Sequence, residues 1–157
     1  MTAVQAARWA RWILAVTLIF LIGAQFVRAD RTNPASRPNA SLLAQKEIPA
    51  DVRAILDRSC RDCHSNDTRW PWYSKIAPIS WVLLQHVNGG RERMNYSAWT
   101  SYDSDDQDKF LGGMCTLTKK GRMPLPSYRW LHWDARLSDA DVRALCAWSD
   151  KMRDTLQ

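Results

Sequence analysis

Cys60-Arg61-Asp62-Cys63-His64 places two thiols three residues apart, with an imidazole directly after the second. Four chemistries use such a pair: covalent haem attachment, a zinc knuckle, a dithiol redox centre and a structural disulfide. Haem attachment demands this spacing. Two thiols on one turn reach the two vinyl groups at one porphyrin edge, and the adjacent imidazole swings under the ring to ligate iron. A structural zinc site needs four ligands, normally as two close pairs. The remaining cysteines, Cys115 and Cys146, are single and far apart. A thioredoxin-like pair wants a strand–helix setting, and the chain shows no strand alternation. A disulfide between Cys60 and Cys63 has no use for His64. The pentad therefore predicts one covalent haem c, attached through Cys60 and Cys63, with His64 as the proximal metal ligand.

A carrier haem needs a second axial ligand. Met123, in Gly121-Arg122-Met123-Pro124-Leu125-Pro126, is the leading choice, because a proline-rich loop is a poor place to bury a packing methionine. Its thioether would raise the haem potential and suit electron transfer. His132 is the alternative, although a histidine between Trp130 and Trp133 also reads as a packed residue. His86, Met94, Met114 and Met152 read as structural. Arg69-Trp70-Pro71-Trp72-Tyr73 follows the motif closely. Trp70, Trp72 and Tyr73 suit one wall of a flat apolar ligand, and Arg69 suits a propionate. Core packing is the competing reading of these aromatics. Cys115 and Cys146 suggest a disulfide stapling the two flanks of the Met123 loop.

Four helices must position these groups. One runs from Pro49 to about Cys60, with Val52, Ile55 and Leu56 on one face. The second runs from about Pro78 to Asn88 and ends at Gly89-Gly90. The third starts at Ser104, where Gln107 completes capping-box spacing. The fourth starts at Ser138, capped with Asp141, and carries the stripe Val142, Leu145, Trp148 and Met152. The predicted fold is a small all-α domain wrapped around one haem, with long loops over 65–77 and 121–137.

Ahead of it, an apolar stretch from Trp12 to Val27 follows Arg8 and Arg11 and precedes Val27-Arg28-Ala29. This layout predicts export, as an uncleaved membrane anchor or a signal cleaved near Ala29. The expected organisation is residues 1–29 as anchor or signal, 30–48 as a flexible linker and 49–157 as the haem domain. The rest of the chain would then lie in an oxidising compartment, the periplasm of a Gram-negative bacterium, anchored or free. The net charge is +6. Half of it comes from Arg8, Arg11 and Arg28, and the remainder is too mild to argue for nucleic acid.

Beyond the pentad, several further stretches carry a resemblance. They are Ser65-Asn66, Thr68 to Tyr73, Ile76-Ala77-Pro78 with Trp81, Asn88 with Gly90-Arg91, and Asn95 with Ser97 and Trp99. Met123-Pro124-Leu125 with Tyr128, His132 and Leu137-Ser138 complete the set. With the pentad they resemble the bacterial haem-binding domain family related to cytochrome c, over nearly all of residues 49–148. Trp133 departs from the family, standing where many relatives carry proline. The resemblance implies a small exported or membrane-anchored cytochrome without implying its physiological role. Electron transfer between redox partner proteins is the expected function, with no enzymatic step. A haem sensor with a displaceable sixth ligand, or a peroxidase-like enzyme, are the alternatives.

Overall fold

A computed structural model describes residues 2–156 and contains seven α-helices, with no strand among the described residues. The all-α expectation holds. The helices are α1 (Ala3–Ala24), α2 (Ala50–Ser59), α3 (Arg61–His64), α4 (Ile79–Arg93), α5 (Ser104–Lys119), α6 (Pro126–Leu131) and α7 (Asp139–Asp154). The chain forms two compact units. One comprises the N-terminal residues to Thr32 with Trp70–His86. The other comprises Asn33–Arg69 with Val87 to the C-terminus.

In the larger unit, α5 packs most extensively on α7, and α2 also packs on α7. Leu56, Leu111 and Leu145 are fully buried at this junction, with Val52 and Trp148 beside them. Cys115 and Cys146 form a disulfide with Cα atoms 4.8 Å apart. Buried Ser149 donates to the Leu111 carbonyl at 2.7 Å, and Arg153 clasps Asp108 through two nitrogens at 2.8 and 3.2 Å. Met94 and Met114 are core residues, as their sequence settings suggested.

The smaller unit holds α1, which is almost wholly exposed and has a mean hydropathy of 1.5 over its most apolar window. By length and composition α1 can cross a membrane, a test that a signal sequence also passes.

Several sequence expectations need correction. The segment 30–48 is not a free linker. Leu42 is fully buried in the core, and Asn33 donates through its side chain to the Thr68 carbonyl at 2.9 Å. Two 3-10 turns, Pro38–Ala40 and Leu42–Ala44, shape this stretch. Its low apolar content hid two leucines that suffice to bind it. α4 does not stop at Gly89-Gly90 but continues to Arg93, and Gly90 lies where α4 passes close to the Cys63 backbone. α5 is capped by Asp103, whose carboxylate accepts from the Asp106 N–H at 2.8 Å; Ser104 is already helical. Pro49 is the cap of α2, not part of its first turn. The loop over 121–137 contains α6 and a 3-10 turn at Trp133–Ala135, and the loop over 65–77 contains one at Trp72–Lys75. The α7 capping box between Ser138 and Asp141 is present as expected.

Candidate haem site

α2 ends at Ser59, Cys60 joins it to α3, and α3 carries Cys63 and His64. The Cys63 and His64 N–H groups both donate to the Cys60 carbonyl, at 3.3 and 3.0 Å. One turn thus brings the two sulfurs and the imidazole together. Both cysteines are free thiols, as attachment to a vinyl group requires.

His64 is oriented by the larger unit's own backbone. Its Nδ1 lies 3.0 Å from the Met94 carbonyl oxygen. A carbonyl can only accept, so Nδ1 carries the proton and Nε2 keeps its lone pair. A backbone hydrogen bond of this kind is how metal-ligating histidines are held in one tautomer. Burial also pushes the His64 pKa below the usual imidazole value, against a smaller opposing effect from the Met94 and Gly90 carbonyls. The ring is therefore neutral near pH 7, as ligation requires. Tyr96, fully buried, stacks against it with centroids 6.1 Å apart.

The thiols sit in low-polarity surroundings. Burial raises the Cys60 pKa to about 11, with the Tyr96 hydroxyl and Arg58 opposing the rise. The Tyr96 hydroxyl approaches this thiol but lacks the alignment of a full hydrogen bond. Burial, followed by the Asp62 carboxylate, raises Cys63 to about 12. Both stay as S–H at neutral pH.

α4 passes so close to this turn that only glycine fits at position 90. A Cβ there would fall on the Cys63 carbonyl oxygen and within 2.9 Å of its carbonyl carbon. Next to it, Arg91 donates to the Ser65 carbonyl at 2.8 Å and to the Thr68 hydroxyl at 2.8 Å. Thr68 in turn donates to the Asp62 carbonyl at 2.7 Å.

Asp62, between the cysteines, is buried and satisfied from three directions. It accepts from Arg69 Nε at 2.9 Å, from the Arg69 N–H at 3.2 Å and from the Tyr128 hydroxyl at 2.8 Å. The rest of the Arg69 guanidinium reaches Asp57, its Oδ2 at 3.4 Å and its carbonyl at 2.7 Å. Arg69 thus ties the motif's own carboxylate to the preceding helix, with about half of its side chain exposed.

Met123 follows α5 after a tight helix end. Gly121, at φ +62°, occupies the left-handed conformation that suits glycine. The Gly121 N–H donates to the Thr118 carbonyl at 2.9 Å and the Arg122 N–H to the Leu117 carbonyl at 2.9 Å, the paired closure of a Schellman end. Met123 is half-buried immediately beyond it. His132, also half-buried, caps α6 and stacks on Tyr128 with centroids 4.1 Å apart.

Trp70, Trp72, Tyr73 and His86 belong to the smaller unit. Tyr73 is buried and meets Trp72 edge-on at 5.8 Å, whereas Trp72 is largely exposed.

A family model described as haem-binding domain matches residues 19–151. The chain belongs to the haem-binding domain family. Comparison with curated proteins and with solved structures finds no match. The residues of this haem-binding domain fit the group that gives the family its name. A neutral imidazole with a fixed tautomer and two free thiols share one turn, and a glycine is needed where a helix crosses it.

Sequence reasoning gave Asp62 no role of its own, and Gly90 and Tyr128 stood out only through the resemblance to the family. Only the buried environment of Asp62 reveals its role. Gly90 was visible but read as a helix stop.

Proposed function

We propose that this haem-binding domain is a monohaem c-type cytochrome, exported and held by α1, that carries single electrons between redox partner proteins. The observation that carries the reading is the pairing of His64 Nδ1–H with the Met94 carbonyl, beside two free thiols. It leaves the Nε2 lone pair for a metal, next in sequence to two thiols whose spacing suits one porphyrin edge. Cys60 and Cys63 would hold the haem as thioethers, each S–H adding across one vinyl double bond so that sulfur joins one carbon, hydrogen joins the other, and no oxidant is consumed. The bound haem supplies a one-electron Fe(III)/Fe(II) couple. Met123 is the second ligand in this reading and His132 the alternative. With His64 and a second protein ligand holding it, the haem would supply electron carriage and not bond chemistry. An acidic surface on a redox partner suits the mildly basic charge of the chain.

The test is haem staining on a denaturing gel after expression with a cytochrome c maturation system. The wild-type band should stain, and Cys60→Ser with Cys63→Ser should not. Haem that extracts freely from the wild type overturns covalent attachment. Rapid CO binding to the ferrous protein overturns two-ligand carriage and favours a sensor or peroxidase.

A further inference from the structure

The smaller unit contains a contact set that bears on how the protein sits in its membrane. Over most of its length α1 touches little, with Ile19 71% and Phe20 60% exposed. Where α1 ends the contacts become specific. The Gln25 side chain grips one residue's backbone twice: Nε2 donates to the Ala77 carbonyl at 2.9 Å, and the Ala77 N–H donates to Oε1 at 3.1 Å. The same Nε2 donates to the Leu21 carbonyl at 2.8 Å, which fixes the amide to its own helix. Two residues on, the Val27 carbonyl accepts from the Trp81 indole N–H at 2.9 Å. Ala24 and Ala77 are 6% and 5% exposed, so the foot of the helix is packed as well as bonded.

A side-chain amide that satisfies both the N–H and the C=O of a buried residue acts as a strand partner would, and buried backbone groups without partners are rare. All three contacts involve residues before Ala29. A cut after Ala29 would remove Gln25 and Val27, leaving the Ala77 backbone groups and the Trp81 indole without these partners. The family match, starting at residue 19, covers the same stretch.

We propose that Gln25 and Val27 form a brace that makes α1 a permanent part of the mature protein and holds the limb Trp70–His86 at the membrane surface where α1 emerges. This rests on the reading of α1 as a membrane helix. A polar side chain at the end of an apolar helix, turned toward the protein's own backbone, serves no purpose in a leader that is discarded.

The test uses the full chain with its own N-terminus, expressed with haem maturation. Carbonate-washed membranes should retain the protein at its full mass, without loss of residues 1–29. In detergent, Gln25→Met keeps the side-chain volume and removes both Ala77 bonds; it should speed hydrogen exchange of the Ala77 amide about tenfold, the loss of roughly one hydrogen bond. Amides in α7 serve as the control and should not change. A haem-stained, soluble protein beginning after Ala29 overturns the brace and leaves the cytochrome reading intact. Unchanged exchange at Ala77 in Gln25→Met also overturns the brace. A full-mass membrane protein with the expected exchange but no covalent haem leaves the brace standing and removes the cytochrome reading.

Discussion

The two segments proposed to supply iron ligands are held in opposite ways. Around His64, the backbone of residues 60–69 is tied down by side chains from every direction. Asp62 accepts three hydrogen bonds, Arg91 bonds Ser65 and Thr68, and Asn66 is engaged by Ser97 and Asn95 at 3.0 and 2.8 Å. Around Met123, the loop leans on backbone closure at the end of α5 and on a short α6 without a side-chain cap. Trp130 and Trp133 on that loop are 73% and 71% exposed. The difference places geometric precision on the attachment side. In the proposed cytochrome, two thioether bonds and one imidazole would have to meet a rigid porphyrin at once, whereas a single thioether sulfur on a flexible side chain could find the iron afterwards.

The largest effects should therefore separate the two sides. His64→Ala should abolish the six-coordinate spectrum altogether, because it removes the proximal ligand of the proposed site. Met123→Ala should leave haem covalently attached, judged by staining, while the weak far-red sulfur-to-iron band disappears and the potential falls. His132→Ala should leave that band in place. A band that survives Met123→Ala would assign the second ligand elsewhere and break the comparison at its distal end.

The disulfide sets the next scale. It closes a span of 31 residues that contains the whole Met123 loop and ties α5 to α7. A loop of that length stabilises by about 3–4 kcal/mol on chain-entropy grounds. Reduction with a phosphine should lower the thermal midpoint accordingly. The far-red band should weaken before the His64 side of the site is disturbed. Simultaneous loss of all haem signals in one transition would show that both sides share one cooperative unit.

The legibility of these two sides differed for a physical reason. Cys60, Cys63 and His64 are close in sequence, and the spacing of one turn is readable from the letters alone. The α7 box at Ser138 and Asp141 is local too, and so is the stripe through Leu145 and Trp148. What could not be read was contact between distant residues. Asp62 meets Tyr128 across 66 positions, and the packing that demands Gly90 comes from Cys63. The same holds for 30–48, where composition argued for a linker and Leu42 proved to be core. Local rules also mislead where one residue type has two uses. Glycine ends many helices, but it also lets a helix pass another backbone closely, and α4 uses Gly90 for the second purpose.

Asp62 offers the sharpest probe of the attachment side, with an effect smaller than that of the disulfide. Asp62→Asn keeps the shape but removes the charge that Arg69 and Tyr128 are bonded to. Hydrogen bonds to a charged group contribute about 1.5–3 kcal/mol. Denaturant unfolding of the holoprotein should show a loss in that range with the far-red band unchanged. A loss accompanied by a shifted sulfur-to-iron band would mean that Tyr128, lying on the same helix end as His132, transmits the change to the distal loop.

The smallest effect concerns Arg58, which connects the helix leading into the motif with the chain following the Met123 loop. Its guanidinium donates to the Asp134 carbonyl at 3.0 Å and pairs with Asp141 at 2.8 Å. Burial tends to raise the Asp141 pKa, but hydrogen bonds from Ser138 and the Arg58 charge outweigh it and hold the carboxyl below its ordinary value of 3.8. A depressed acid contributes stability that is present above the unfolded-state pKa and is lost as pH falls through the folded-state pKa. Asp141→Asn removes the charge while keeping an acceptor for Ser138. At pH 7 it should cost about 0.5–1 kcal/mol, the low end of a capping interaction and an ion pair open to solvent. The gap between wild type and variant should begin to narrow as pH falls below about 4, where the unfolded-state carboxyl protonates, and should close as pH falls through the lower folded-state pKa. A gap that stays constant down to pH 2 would show that Asp141 acts by shape alone. Arg58 would then tie the two ligand-bearing segments through backbone carbonyls, without help from charge.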